Sequence, residues 1–177
     1  ALGHNIAFCH SLSEESKNWK TFSKKYPKTK YSKKLSDILF NKEIDFYIVC
    51  VSWYQIVKIL PYLLKIKKPM LIEKPIAFNL NFLKKLKNKN EKNCKNKFVG
   101  FNRRFYKTVE RLHKRLSKND LAYVDIRITE DYDEFIKKFG NNVKSKIHHI
   151  TATSHIIDLA LYFFGKLTIK NLKIIKS

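Results

Sequence analysis

Short apolar runs alternate with amphipathic stretches from the start of the chain, and the alternation predicts strands and helices in turn. Asn5-Ile-Ala-Phe-Cys9 reads as a strand buried on both faces. Ser13-Glu-Glu-Ser16 offers an N-cap with carboxylates in the first turn of a helix carrying Trp19 and Phe22, which Pro27 closes. Tyr31 marks a short edge strand, and Ser32 and Ser36 offer caps for a helix with Leu35, Ile38 and Leu39. Phe46-Tyr-Ile-Val-Cys-Val51 is the clearest strand, followed by an apolar helix from Tyr54 to Leu64 that Pro61 should interrupt or kink. Met70-Leu-Ile72 is the next strand, Asn79 caps a lysine-rich helix through Leu86, and Phe98-Val-Gly-Phe101 is the strand after it. Strands this apolar, each followed by a helix, imply βαβ crossovers and a parallel sheet covered on both faces.

Beyond Arg104 the period changes. An amphipathic helix from about Phe105 to Leu116 precedes Leu121 to Thr129, where Tyr123, Asp125, Arg127 and Thr129 alternate with apolar neighbours. A period of two predicts a half-exposed strand of an antiparallel sheet. Residues 140–149 read as a mobile loop, Thr151 to Phe164 as an apolar helix ended by Gly165, and Leu167 to Ile175 as a final strand. The predicted division is therefore residues 1–103, with a mainly parallel sheet, and residues 104–177, the start of an α+β domain with a mainly antiparallel one. Ala1-Leu-Gly3 reads like a helix tail with its glycine cap, which points to a fragment.

Composition narrows the function classes. Of 177 residues 44% are hydrophobic, so a folded core is expected despite a formal charge of +22. The lysines are spread along the length, which argues for solvated faces over a nucleic-acid surface, and no helix-turn-helix, RNP or zinc-finger pattern accompanies them. Cys9, Cys50 and Cys94 lack C-x-x-C spacing and favour a reducing cytoplasm. No run approaches the roughly 20 apolar residues of a membrane span, and no signal-peptide pattern opens the chain.

Three stretches carry chemistry. Glu73-Lys74-Pro75 stands at the carboxyl end of the Met70–Ile72 strand, where ligands of open α/β sheets bind. A lysine there can hold a substrate oxygen and help move its proton, or it can be a surface residue in a turn set by Pro75. On the apolar helix after Thr151, His155 and Asp158 share neighbouring parts of one face with Thr151, and buried polar groups need partners. Asn102 and Arg103 follow the Phe98 strand, as cleft residues or as a solvated helix start. His148, His149, His155 and Asp158 could be a metal set, but no H-x-x-x-H or H-E-x-x-H spacing puts two imidazoles on one helix face, so no metal is expected.

Together, Ile72-Glu-Lys-Pro75, Val99-Gly-Phe-Asn-Arg-Arg-Phe105 and Ser154-His-Ile-Ile-Asp158 with Phe164-Gly165, in this order and spacing, resemble the Gfo/Idh/MocA family of oxidoreductases. The resemblance implies a partial Rossmann-type domain followed by an α/β substrate domain, and NAD- or NADP-linked hydride transfer at a sugar, sugar-nucleotide or cyclitol carbon. It implies Lys74 and His155 as catalytic residues. It places His10, Ser11, Ser52, Glu73, Lys74 and Pro75 by the cofactor, and Asn102, Arg103, Thr151 and Asp158 by the substrate. A homo-oligomer formed through the C-terminal sheet follows for a complete chain.

The departures are equally specific. The family's G-x-G-x-x-G turn, whose N–H groups receive the pyrophosphate, has no counterpart among Gly3, Gly100, Gly140 and Gly165. The acid that often ends the second strand is replaced by His10-Ser11, so NAD and NADP remain open. Thr151 stands where many members have an acid, and Ser52-Trp-Tyr-Gln-Ile-Val57 replaces the usual Thr-Pro-Asn-x-x-His. A non-catalytic member of the fold is the main alternative, and a basic nucleic-acid module the second.

Overall fold

The computed structural model describes residues 3–11, 13–116, 123–128, 131–140, 143–171 and 173. The chain forms two compact units, Ala1–Val99 and Gly100–Ser177.

Among the described residues of the first unit five strands alternate with helices. They are β1 (Phe8–His10), α1 (Lys17–Lys25), β2 (Lys30–Ser32), α2 (Leu35–Leu39), β3 (Tyr47–Val49), α3 (Trp53–Leu63), β4 (Met70–Ile72), α4 (Leu80–Lys89), α5 (Glu91–Cys94) and β5 (Lys97–Val99). All pairings are parallel, as the βα alternation predicts, but they form two sheets, β1-β2 and β3-β4-β5.

β1 lies further along than the Asn5–Cys9 run, because its register sets Phe8 against Lys30 and His10 against Ser32. His10 is thus a strand residue. β3 and β5 are likewise shorter than their apolar runs, since the three residues of β4 limit the ladder on both sides. The cap of α1 is Ser16, whose side chain accepts from the Trp19 amide, while Ser13 accepts from the Glu15 amide in the turn before it. Asn79 caps α4 as expected, accepting from the Phe82 amide. α3 continues through Pro61 to Leu63, so the proline does not interrupt it; the residue lacks the N–H that would reach the Val57 carbonyl, and the helix ends two residues later.

The core explains why these short strands persist. Ile56, Leu60 and Leu63, one stripe of α3, pack with Met70 and Ile72 of β4, with Ile38 and Leu39 of α2 and with Tyr47. Fully burying each such side chain contributes about 1.5–3 kcal/mol. The Tyr47 hydroxyl donates to the Ile38 and Leu39 carbonyls, both at 3.0 Å, and so ties α2 to β3. Among the described residues the β3-β4-β5 sheet is covered on one face, against the expectation of two covered faces. Ile48, Leu71 and Phe98 are register partners across β3-β4-β5, and they are 66%, 38% and 57% exposed. α3 and α4 pack on the opposite face, with Met70 and Ile72.

The second unit contains a 3-10 turn (Asn102–Phe105), α6 (Lys107–Arg115), α7 (Tyr132–Phe139) and α8 (Val143–Phe164). α7, capped by Asp131, has no counterpart in the pattern reading. α8 starts eight residues before Thr151 and absorbs most of the stretch expected to be a loop. Gly165 ends it at φ 74°, the left-handed conformation that suits glycine. Among the described residues, 123–128, 167–171 and 173 lie in no strand, so the two expected antiparallel strands are not seen there. Their remaining positions, 121, 122, 129, 172, 174 and 175, lie outside the described residues, as do Ala1 and Leu2 of the expected helix tail.

Candidate functional site

In the first unit the candidate residues gather at the carboxyl ends of parallel strands. Val49 is paired with Ile72, and the Glu73 amide extends the ladder by donating to the Val49 carbonyl at 2.9 Å. The chain leaving β3 toward Ser52 and the chain leaving β4 through Glu73, Lys74 and Pro75 therefore start side by side. Ser52 occupies the N-cap position of α3, but its hydroxyl makes no cap bond; its carbonyl accepts from the Gln55 and Ile56 amides. Glu73 is exposed, Lys74 and Pro75 are half-buried, and the Lys74–Pro75 peptide is cis.

His10 ends β1, in the other sheet, and Ser11 follows it. The His10 Nδ1 bonds the Ser32 carbonyl at 2.9 Å, the Tyr31 hydroxyl donates to the Ser11 carbonyl at 3.0 Å, and the Ser11 hydroxyl donates to the Ser13 carbonyl at 2.9 Å. The turn is braced by local bonds, with one imidazole nitrogen committed to β2.

The second unit assembles its own cluster. Thr151 and Asp158 are buried and His155 is half-buried on α8, and the 3-10 turn packs against this helix. Arg104 grips Asp158 with a two-pronged bond: Nε donates to Oδ2 at 2.7 Å and Nη2 to Oδ1 at 2.5 Å. The Asp158 carboxylate beside it, through these hydrogen bonds, pushes the Arg104 pKa above its ordinary value. The guanidinium also lies over the Tyr162 ring at 5.1 Å, and Tyr162 stacks on His113 of α6 at 4.3 Å. Phe101 meets the His155 ring edge-on, centroids 6.0 Å apart.

The sequence pattern placed Thr151, His155 and Asp158 on one helix face, and the structure has all three on α8. Asp158, expected beside substrate, has both oxygens engaged by Arg104. Of the three other expected substrate residues, Thr151 is buried on α8, while Asn102 is exposed and Arg103 half-buried, both in the turn that Arg104 anchors. Arg104 itself was missed: a pair of arginines after a strand gives no sign of which one turns inward. The one available signal was a buried acid on α8 that required a cation. Several lysines also have structural partners. Lys68 donates to the Asn41, Lys42 and Ile44 carbonyls, and Lys97 to those of Ile66 and Lys68.

Among the described residues no group of three or more His, Cys, Asp or Glu side chains could hold a metal ion, and no helix is long and apolar enough to cross a membrane. For a dinucleotide the fit is partial. The strand ends carry the polar residues that would face it, while no glycine of the sequence has the spacing that cradles a pyrophosphate.

Residues 4–101 match the family model GFO_IDH_MocA, an oxidoreductase family with an NAD-binding Rossmann fold. No curated protein matches the sequence. Among solved structures the fold is similar to a probable dehydrogenase from Thermotoga maritima, with a TM-score of 0.66 at 18% identity over 92% of this chain and 48% of that one. It is similar to a myo-inositol dehydrogenase from Corynebacterium glutamicum, TM-score 0.66, 16% identity, over 90% of this chain and 47% of that one. It is also similar to the myo-inositol dehydrogenase from Lactobacillus casei in complex with NAD(H) and myo-inositol, TM-score 0.67, 17% identity, over 90% of this chain and 46% of that one. The chain spans about half the length of these proteins.

Proposed function

The chain belongs to the Gfo/Idh/MocA family of oxidoreductases with an NAD-binding Rossmann fold, and from that premise we propose that it serves hydride transfer between a nicotinamide dinucleotide and a carbinol carbon of a sugar or cyclitol. The observation that carries the reading is Glu73-Lys74-Pro75 at the carboxyl end of β4, beside the start of α3, in a sheet of the family's type. The inositol dehydrogenases among the similar folds favour a polyhydroxylated substrate.

Bound nicotinamide supplies the acceptor for the hydride. The residues of this chain handle the proton. As the carbinol C–H electron pair departs, the O–H proton must leave with it; a lysine ammonium can hold the oxygen while a base receives the proton. We assign the oxygen contact to the Lys74 Nζ and the proton to His155, whose ring is seated against Phe101. His10, Ser11, Ser52, Glu73 and Pro75 are proposed for the dinucleotide, Asn102, Arg103 and Thr151 for substrate hydroxyls, and Asp158 for holding the substrate-facing turn through Arg104. The pyrophosphate needs donors beyond these, so the 177 residues alone should bind NADH and NADPH weakly.

The test joins the chain to the glycine-rich βα unit of a relative and measures turnover of inositols and sugars. Lys74→Ala and His155→Ala should each lower kcat by roughly 10²-fold or more, the scale of a positioned acid–base group, with dinucleotide affinity nearly unchanged. Wild-type turnover in the Lys74 variant removes the assignment. No turnover in any form, with the dinucleotide bound, favours a non-catalytic member of the fold.

A further inference from the structure

The 3-10 turn, with Phe101 at its N-cap, and α8 touch at two matched points. Phe101 and Arg104 stand three residues apart on one side, and His155 and Asp158 three residues apart on the other. One point is a ring contact, Phe101 edge-on to His155 with an interplanar angle of 88°. The other is the two-pronged pair of Arg104 and Asp158, whose side chains are 37% and 7% exposed.

The two points differ in stiffness. An edge-on aromatic contact is weak and tolerates sliding and tilting. A guanidinium forked onto a carboxylate fixes distance and plane together. Tyr162, one turn beyond Asp158, lies under the guanidinium and limits its swing.

We propose that Arg104 is a positioning residue, which by clamping Asp158 holds the 3-10 turn on α8 and thereby sets the orientation of the His155 ring. Its significance for turnover rests on the reading of His155 as the proton-carrying group. The clamp itself does not.

The experiment uses the 177-residue chain and nuclear magnetic resonance of its histidine rings. His155 is identified by His155→Gln, and its contact is read as the nuclear Overhauser effect and ring-current shift from Phe101. The decisive variant is Arg104→Met/Asp158→Leu. Replacing both members of a buried pair by apolar residues of similar volume commonly preserves stability and leaves net charge unchanged. We expect the fold to be kept while the Phe101–His155 effect and the ring shift are lost. A purely structural pair would be replaced without moving that signal, so an intact ring contact in the folded double variant overturns the proposal. Arg104→Lys keeps the charge without the fork and serves if the double variant does not fold: a weakened contact supports the clamp, and one of native strength overturns it. Wild-type turnover in His155→Ala, measured on the joined protein, would end the catalytic reading of His155 and leave the clamp standing.

Discussion

Removing either partner of the Arg104–Asp158 pair should have unequal effects, and the inequality follows from burial. Arg104→Ala strands a carboxylate that is 7% exposed. Breaking a buried pair costs about 3–5 kcal/mol, and the 37% exposure of Arg104 screens part of it, leaving about 2–4 kcal/mol. Asp158→Ala leaves a guanidinium that can turn toward water and keep its place over Tyr162, so the loss should be about 1–2 kcal/mol. The two residues are in direct contact, so the double variant should fall short of the sum by about 1–3 kcal/mol. Urea unfolding of the four proteins gives the cycle, and amide exchange along α8 reports whether the loss is confined to the second unit. Asp158→Ala as damaging as Arg104→Ala, or strict additivity, would refute the reasoning.

Tyr47→Phe removes the donor to the Ile38 and Leu39 carbonyls and should lower stability by about 1–3 kcal/mol, read from the urea midpoint. Gly165→Ala meets no neighbour within 4 Å, so its cost should be only that of φ 74° for an L-residue, about 1–2 kcal/mol by thermal unfolding. Burial pushes the Cys9 thiol pKa up, so the folded chain holds that proton more tightly than the unfolded one. This contribution is complete below the ordinary thiol pKa of about 8.5 and is lost as pH rises through the folded value. The stability difference between the wild type and Cys9→Ala should therefore shift against the wild type between neutral and alkaline pH; a difference independent of pH would contradict it.

What the sequence determined by itself is the local pattern and its chemistry. Apolar runs located β1, β3, β4 and β5 to within a few residues, because the core-facing side of a strand has no alternative to hydrophobic side chains, while the lysine-flanked β2 was marked only by Tyr31. Helix periodicity put Thr151, His155 and Asp158 on one face, since that relation depends only on the turn of the helix. The motif order from Glu73 to Gly165 pointed to the family that the match over residues 4–101 then showed. Tertiary structure decided everything that depends on a distant partner. Register moved β1 onto His10, because its ladder is set by Lys30 to Ser32. α8 took up a polar stretch that reads as loop, since a helix extends wherever its backbone bonds can propagate, whatever the mean hydropathy of the segment. The alternation in residues 123–128, all six of which are exposed, carries no information about whether a second strand lies alongside. Arg104 was chosen over Arg103 for the same reason: 54 residues separate it from Asp158, and only the packing of the turn on α8 says which guanidinium meets the carboxylate.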